Sequence, residues 1–511
     1  MKSWIKKGFN QLDDLFSKAF TPQWNPMYQL GALSFFYFWI VAVTGVYLFI
    51  FFETSISGAY ASIENITREQ WYIGGVMRSF HRYASAAMGV CVTLHLLREF
   101  AMDRYSGVRW FSWVSGIPLL WLLFASAIGG YWLVWDQQAQ YIAQLTAQWF
   151  DWLPFMVDPM ASNFLNESSL SDRFFSLLVF LHIGIPLALL LGMFIHIKRI
   201  TGARTNPARG LAAGTLGAML AVSLWHPALS QAPANLDIAV TEVALDWIYL
   251  NPYPLINSWG PGATWALLVG LSSALSLLPW LPSKQKKRHP VAVVDPENCN
   301  GCGWCLADCP YEAVSMKEHD FKKGHKQSVV DPDLCISCGI CAGACPSSSP
   351  FRHVDELTTG ISIPDLHIKE LLSLTENRLR ALSGSNRIML YGCDHGSQVD
   401  DLVSESVAGI SMPCTALVPP AFVDYVLRKG LAEGVMISGC CEGDCNYRLG
   451  NTWMDKRFST ERMPVLRHRV PRERVRTRWL GVQGTGKLKQ EVAKFQSELA
   501  SLDLIDTREV S

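Results

Sequence analysis

His81 and His95 stand fourteen residues apart in one apolar stretch, and His182 and His196 repeat that interval in another. At about 100° and about 1.5 Å per residue, such an interval is almost four helical turns, so both imidazoles of a pair leave one helix face, about 21 Å apart. A lone histidine in an apolar helix reads first as a satisfied core residue. Ionisable side chains in membrane helices are costly and point to function, and two pairs at one spacing read as axial ligands. Two facing helices with two histidine levels can clamp two haems, each iron held by one imidazole from each helix. Gly31 with Gly45, and Gly116 with Gly130, keep the same interval. Glycine there lets a flat macrocycle approach the backbone; plain helix packing is the alternative.

Iron is also the reading of the cysteines. The chain has 14, and thirteen lie after residue 298. Cys299, Cys302, Cys305 and Cys309, followed by Pro310, return thirty-six residues on as Cys335, Cys338, Cys341 and Cys345, followed by Pro346. This is the two-cluster bacterial ferredoxin run, in which the fourth Cys of each run ligates the other cluster. Cys299, Cys302, Cys305 and Cys345 are therefore expected to hold one [4Fe–4S], and Cys335, Cys338, Cys341 and Cys309 the other. Asp295-Pro and Asp331-Pro before the runs support an internal repeat. Zinc sites, the alternative, lack the doubled triplet and the trailing Cys-Pro. Thiols in these spacings argue for a reducing compartment rather than disulfides.

Beyond Arg387, strands alternate with helices. Ile388–Cys393, Gly409–Cys414 and Gly434–Cys440 read as strands ending in cysteine, with a helix from Phe422 stopped at Gly430. Cysteines at successive ends of a parallel sheet converge on its carboxyl edge, where such folds bind ligands. Cys445 follows the third strand closely. The alternative is a set of buried structural thiols. Asp394 and His395, beside Cys393, read as indirect at best.

Two resemblances follow. Residues 20–282 resemble the cytochrome b of quinol:cytochrome c reductases, on both histidine pairs, both glycine pairs, and Arg78 and Arg98, each three residues from a histidine. The resemblance implies pairing of His81 with His182 and of His95 with His196, arginines meeting haem propionates, and a homodimer. Gly130-Tyr-Trp-Leu-Val-Trp135 resembles that family's Gly-Tyr-x-x-Pro-Trp turn, with Val134 in the proline's place. Leu245-Asp246-Trp-Ile-Tyr249 resembles its Pro-Glu-Trp-Tyr segment, whose glutamate takes a quinol proton at the outer site. Asp246, one methylene shorter, is then the carboxylate of an altered quinone site, with Tyr249 beside it; the alternative is ordinary interface residues. No Rieske-type pair of Cys/His motifs is present, so the chain alone cannot bifurcate quinol electrons. Residues 386–480 resemble the delta iron–sulfur subunit of methyl-viologen-reducing hydrogenases. That resemblance implies one [2Fe–2S] on Cys393, Cys414, Cys440 and Cys445, and a link between a partner enzyme and a flavoprotein. Cys441 stands where that family usually has histidine, which leaves a Cys440/Cys441 exchange open.

These residues need scaffolds. The chain is 50% hydrophobic and 12% aromatic, with apolar residues concentrated before residue 282. The expected fold is multidomain: an amphipathic segment at 1–28; an all-α transmembrane dihaem bundle at 29–283; a small α+β ferredoxin domain at 284–350; a linker helix within 351–385; an α/β [2Fe–2S] domain at 386–480; and a tail at 481–511. About six membrane helices are expected, at 29–51, 78–98, 113–134, 174–197, 210–227 and 262–281, each near the ~20-residue span length. Lys2, Lys6, Lys7, Arg98, Arg104, Arg109, Lys198, Arg199, Arg204, Arg209, Lys284, Lys286, Lys287 and Arg288 flank one side. The positive-inside rule makes that side, with both termini, cytoplasmic. The arginines between Arg467 and Arg478 read as a solvated face or as a docking surface for an acidic partner or anionic lipid, and the last helix, about 486–501, as exposed.

The net charge of zero says nothing about partners, and no nucleic-acid partner is expected. No phosphate-binding glycine loop follows a strand, so FAD or NAD belongs elsewhere. The expected function is an electron wire in a bacterial inner membrane. Electrons leave a cytoplasmic flavin- or molybdenum-dependent dehydrogenase (formate-, NAD(P)H- or heterodisulfide-reductase-like), pass the three clusters and two haems b, and reduce bound quinone. Quinol oxidation running in reverse, or a non-catalytic redox-sensing anchor, are the alternatives.

Overall fold

The computed structural model describes residues 2–155, 171–198, 203–238, 240, 243–281, 290–351 and 357–502. Arg199, and Lys284, Lys286, Lys287 and Arg288 of the basic hinge, lie outside the described residues. The chain divides into a first unit, Met1–Lys198 with Ala203–Pro282, and a second from Ser283 onward.

The first unit is helical. It contains α1 (Lys2–Trp24), α2 (Leu30–Phe51), α3 (Ala59–Arg68), α4 (Val76–Ala101), α5 (Trp110–Trp132), α6 (Gln137–Asp151), α7 (Asp172–Ile197), α8 (Arg209–Trp225), α9 (Pro252–Trp259) and α10 (Pro261–Leu277). Helices form at all six expected places. Leu30–Phe51, Gly107–Trp132, Asp172–Ile197 and Pro261–Trp280 are long and apolar enough to cross a membrane. α4 carries Arg78, His81, Arg82, His95 and Arg98, which lower its hydropathy, and α8 has 17 residues. Phe180, Leu187 and Leu191 of α7 face outward, more than 60% exposed. Apolar side chains on the outside suit lipid rather than water. α2 packs along α4, and α5 along α7. Asp136 caps α6, accepting from Ala139 N at 2.9 Å.

The second unit begins with β1 (Val293–Val294), α11 (Trp304–Asp308), β2 (Val314–Glu318), β3 (Lys326–Val330), α12 (Ile340–Ala344) and β4 (Ile361–Ser362). β1 pairs antiparallel with β4, and β2 with β3. The repeat is visible in the backbone. Gly303 before α11 and Gly339 before α12 both sit in the left-handed region, at φ 75° and 79°. Only glycine enters that region without strain.

Next come α13 (Ile368–Arg380), β5 (Ile388–Cys393), β6 (Val407–Met412), α14 (Pro420–Arg428), β7 (Gly434–Gly439), α15 (Gly450–Phe458), β8 (Val475–Trp479) and α16 (Thr485–Leu499). The strands form one parallel sheet in the order β6-β5-β7-β8. β5 and β7 are buried along their whole length, as central parallel strands are. Two expectations are corrected. The arginine-rich segment is not a free face: Arg476 and Arg478 lie on β8 and pair with Glu498 and Glu491 of α16, while Arg467 and Arg469 pair with Asp424. α16, expected in an exposed tail, buries Leu488, Val492, Phe495 and Leu499 against Ile388, Leu390 and Met436 of the sheet. The linker helix is α13, whose Ile368, Leu371 and Leu379 join the core on the other face of the sheet.

Candidate functional site

His81 of α4 faces His182 of α7, with ring centroids 6.2 Å apart and planes at 59°. Two metal–imidazole bonds of about 2 Å, with half a ring on either side, fill roughly this gap, so it fits one axially held iron. His81 Nδ1 donates to the Val41 carbonyl at 3.0 Å, and His182 Nδ1 to the Ser126 carbonyl at 3.0 Å. With Nδ1 so occupied, Nε2 is the free ligand atom of each ring, the arrangement metal-bound imidazoles adopt.

The glycines explain how those carbonyls are reached. Val41 and Ser126 each lie four residues before a glycine of the pairs, Gly45 and Gly130. A helical side chain leans back over the preceding turn and would cover that carbonyl. A Cβ on Gly45 would stand 3.0 Å from His81 Cε1, and one on Gly130 2.9 Å from His182 Cε1. The room these glycines leave is taken by an imidazole edge, where the sequence suggested a macrocycle face.

At the other level the fit is looser. A Cβ on Gly31 would lie 3.7 Å from His95 Cε1, and one on Gly116 3.5 Å from His196 Cε1. His196 Nδ1 lies 2.9 Å from Ser115 Oγ, which donates to the Ser112 carbonyl at 3.3 Å. His95 and His196 are close enough to interact electrostatically.

Arg78 is buried and donates to Thr67 Oγ1 at 2.5 Å and Ser230 Oγ at 2.8 Å, with Glu64 at 3.7 Å. Arg98 is buried 3.1 Å from Asp13 of α1 and lies over the Tyr28 ring. Arg98 thus pairs with a carboxylate of the chain, while Arg78 donates to two hydroxyls with Glu64 further off.

Asp246 is brought to the turn it was compared with only by family. One of its carboxylate oxygens accepts from Arg82 at 2.5 Å and from Tyr131 OH at 2.8 Å. The other accepts from the backbone N–H groups of Ile248 and Tyr249, at 2.5 and 3.0 Å. Tyr249 is fully buried and donates to the Ser85 carbonyl at 2.5 Å. Arg82 and Tyr131 were missed from sequence. Their signal was adjacency: Arg82 follows His81, and Tyr131 follows Gly130.

In the second unit, one cavity is lined by Cys309, Cys335, Cys338 and Cys341, the four thiols of one expected set, Cys309 included from the other run. Cys302 and Cys305 are close enough to Cys345 to interact electrostatically. Cys299 and Cys305 converge on Ser328 Oγ, at 3.9 and 3.0 Å. Backbone N–H groups of Ala292 and Ala313 point at Cys335 and Cys309 sulfurs, at 3.5 and 3.3 Å. Such bonds tune cluster potentials. Burial pushes the Cys338 thiol up to about 12 and Cys341 well above the ordinary thiol value. Thiols so buried become thiolates only beside a metal, which deprotonates them outright. Among the described residues, no three His, Cys, Asp or Glu side chains gather as around a single ion.

At the carboxyl edge of the sheet, Cys393 and Cys440 sulfurs lie 3.7 Å apart. Two thiolates about 2.3 Å from one tetrahedral metal stand about 3.8 Å apart, so this pair fits one iron. Cys445 is in contact with Cys440, and Cys414 interacts with both. Cys441 turns away, toward Gly481, whose Cβ would meet its sulfur at 2.8 Å.

Three family models match successive stretches of the chain. Residues 15–202 match the family model of cytochrome b/b6/petB, residues 277–349 that of the 4Fe–4S dicluster domain, and residues 386–503 that of the methyl-viologen-reducing hydrogenase delta subunit. The cytochrome b6 of Euglena gracilis is 28% identical over 191 residues, covering 37% of this chain and 88% of the relative. A solved structure described as a hyperthermophilic respiratory Complex III aligns with TM-score 0.41 and 21% identity, over 50% of this chain and 76% of that one. The three family matches lie in series on one polypeptide.

Proposed function

We propose that this fusion of cytochrome b-like, dicluster ferredoxin-like and hydrogenase delta-like segments is the membrane-anchored electron-transfer subunit of a larger oxidoreductase. It takes electrons from a cytoplasmic flavin- or molybdenum-dependent dehydrogenase and delivers them to membrane quinone. The observation that carries this reading is the facing pair His81 and His182, tied at Nδ1 and separated by one metal's width, in the same chain as three convergent thiol sets.

Two haems b, two [4Fe–4S] and one [2Fe–2S] supply one-electron steps when bound. His81 with His182, and His95 with His196, would hold the haems. The Cys299/302/305/345 and Cys309/335/338/341 sets would hold the four-iron groups, and Cys393, Cys414, Cys440 and Cys445 the two-iron group. Val41, Ser126 and Ser115 orient imidazoles, and Arg78 and Arg98 place positive charge near the ends of α4. Asp246 has every oxygen engaged, which supports a bracing role at the turn rather than proton uptake from quinol. The lysines and arginines at Lys2–Lys7, Arg98–Arg109 and Lys198–Arg209 favour a bacterial inner membrane protein with both termini inside. A homodimer through the helical unit completes the reading.

Purification with its companions tests this. Expected are two b-type waves in a redox titration, iron and sulfide for three clusters, and a dehydrogenase subunit by mass spectrometry. Absence of bound haem sinks the reading.

A further inference from the structure

The two cysteine runs are repeats, yet they are packed differently. Cys302 is followed by Gly303, Trp304, Cys305, Leu306 and Ala307; Cys338 is followed by Gly339, Ile340, Cys341, Ala342 and Gly343. A Cβ on Gly303 would meet nothing within 4 Å, while one on Gly339 would strike Leu417 Cδ1 at 2.7 Å and one on Gly343 would run into the Ala416 carbonyl oxygen. α12 therefore presses its backbone onto the turn Thr415–Leu417, next to Cys414. Cys338 and Cys414 share one buried cluster with Tyr311, Ile340, Ala416 and Tyr447. Cys338 interacts electrostatically with Cys445, and Cys414 with Cys338.

One guanidinium fastens this contact. Arg457 of α15 is fully buried. It donates to Asp308 Oδ2 at 2.5 Å, to the Ala416 carbonyl at 2.8 Å and to the Ile340 carbonyl at 3.3 Å. Those acceptors lie beside Cys309, beyond Cys414 and beyond Cys338. The other Asp308 carboxylate oxygen accepts from Arg462 at 2.5 Å, and the Asp308 carbonyl from Trp453 Nε1 at 3.1 Å. A buried arginine with a planar fork suits such a junction better than a lysine.

We propose that electrons pass directly between the Cys393/414/440/445 set and the Cys309/335/338/341 set, with Arg457 as the positioning residue that fixes their separation. The Cys299/302/305/345 set, in which Cys302 is exposed, is then the port to the next carrier. One electron leaves the two-iron site as one enters the four-iron site; no bond or proton is exchanged. This rests on the cluster assignment proposed above. Tunnelling falls steeply with separation, so a shared buried cluster of side chains decides the order of transfer.

The test uses the full-length chain reduced with dithionite, read by electron paramagnetic resonance with iron and sulfide content measured alongside. Expected is a magnetic splitting of the [2Fe–2S] signal in the wild type, lost in Cys338→Ala and kept in Cys302→Ala. The reverse pattern, or splitting indifferent to both, overturns the order. Arg457→Lys keeps the charge but not the three-way fork, and needs no cluster to be lost. It is expected to narrow the splitting by at least half at unchanged iron content; an unchanged splitting overturns the role of Arg457. A wild-type chain without acid-labile sulfide overturns the cluster assignment as well, whereas full iron content with the wrong pattern overturns the order alone.

Discussion

The Cβ that Gly45 lacks would stand 3.0 Å from Cε1 of His81, and the same absence four residues beyond Val41 opens the carbonyl that His81 Nδ1 uses. Gly130 does this for His182 at 2.9 Å. Gly31 and Gly116 leave ordinary contact distances, 3.7 and 3.5 Å, to His95 and His196. The four glycines are thus unequal. Gly45→Ala and Gly130→Ala are expected to cost about 1–3 kcal/mol through overpacking and to lose at least half of one b-type wave. Gly31→Ala and Gly116→Ala are expected to keep both waves. Reduced-minus-oxidised spectra of the four variants, with equal loss in all, would reject this inequality.

Ser115 gives the second histidine level a different tether. His196 Nδ1 reaches a hydroxyl at 2.9 Å, where His81 and His182 reach backbone carbonyls. Removing the acceptor makes the imidazole a less basic ligand, which favours the reduced iron. A hydrogen bond worth about 0.5–1.5 kcal/mol converts to about 20–60 mV for one electron. Ser115→Ala should therefore raise the midpoint of one haem by about that amount. Thr44→Val is the control, because Thr44 Oγ1 lies 3.2 Å from His81 Nδ1, yet without it His81 keeps its carbonyl acceptor at Val41. A potentiometric titration in which both variants shift alike would remove Ser115 from the role.

Cys440 and Cys441 are neighbours with opposite directions. Cys440 lies 3.7 Å from Cys393, while Cys441 faces Gly481. Cys440→Ser is expected to abolish the [2Fe–2S] resonance, and Cys441→Ser to leave it. Gly450→Ala, whose Cβ would stand 2.5 Å from Cys414 sulfur, should weaken it without removing a ligand. Iron analysis showing loss only in Cys441→Ser would reverse the assignment.

Much of this site was legible because its signals are local intervals. The fourteen-residue histidine and glycine spacings, the doubled Cys run and the cysteines at strand ends each depend on one element's periodicity. What could not be read were partners across elements. Arg82 and Tyr131, which both donate to the Asp246 carboxylate, lie 164 and 115 positions from it. Arg457 carried no signal, since its three acceptors come from Asp308, Ile340 and Ala416. β8 was hidden because Arg476 and Arg478 interrupt an apolar strand pattern, although both are paired with α16.

α16 shows how charge can mask a core helix. Thr485–Leu499 contains three lysines and two glutamates, which suggested exposure, yet Leu488, Val492, Phe495 and Leu499 keep an i, i+4, i+7, i+11 spacing and are buried. Phe495 is fully buried, lies under the Arg476 guanidinium, and fills the space over Gly434, whose Cβ would meet it at 2.9 Å. Phe495→Ala is expected to cost about 3–5 kcal/mol, read as a lower unfolding temperature for the [2Fe–2S] signal. Ending the chain before Thr485 uncovers Ile388, Leu390 and Met436, so the [2Fe–2S] resonance should vanish while haem absorption remains. The haem ligands lie in the other unit, so their spectrum separates loss of this sheet from loss of the whole protein. A truncated chain with its full resonance would return α16 to the exposed tail that its charges suggest.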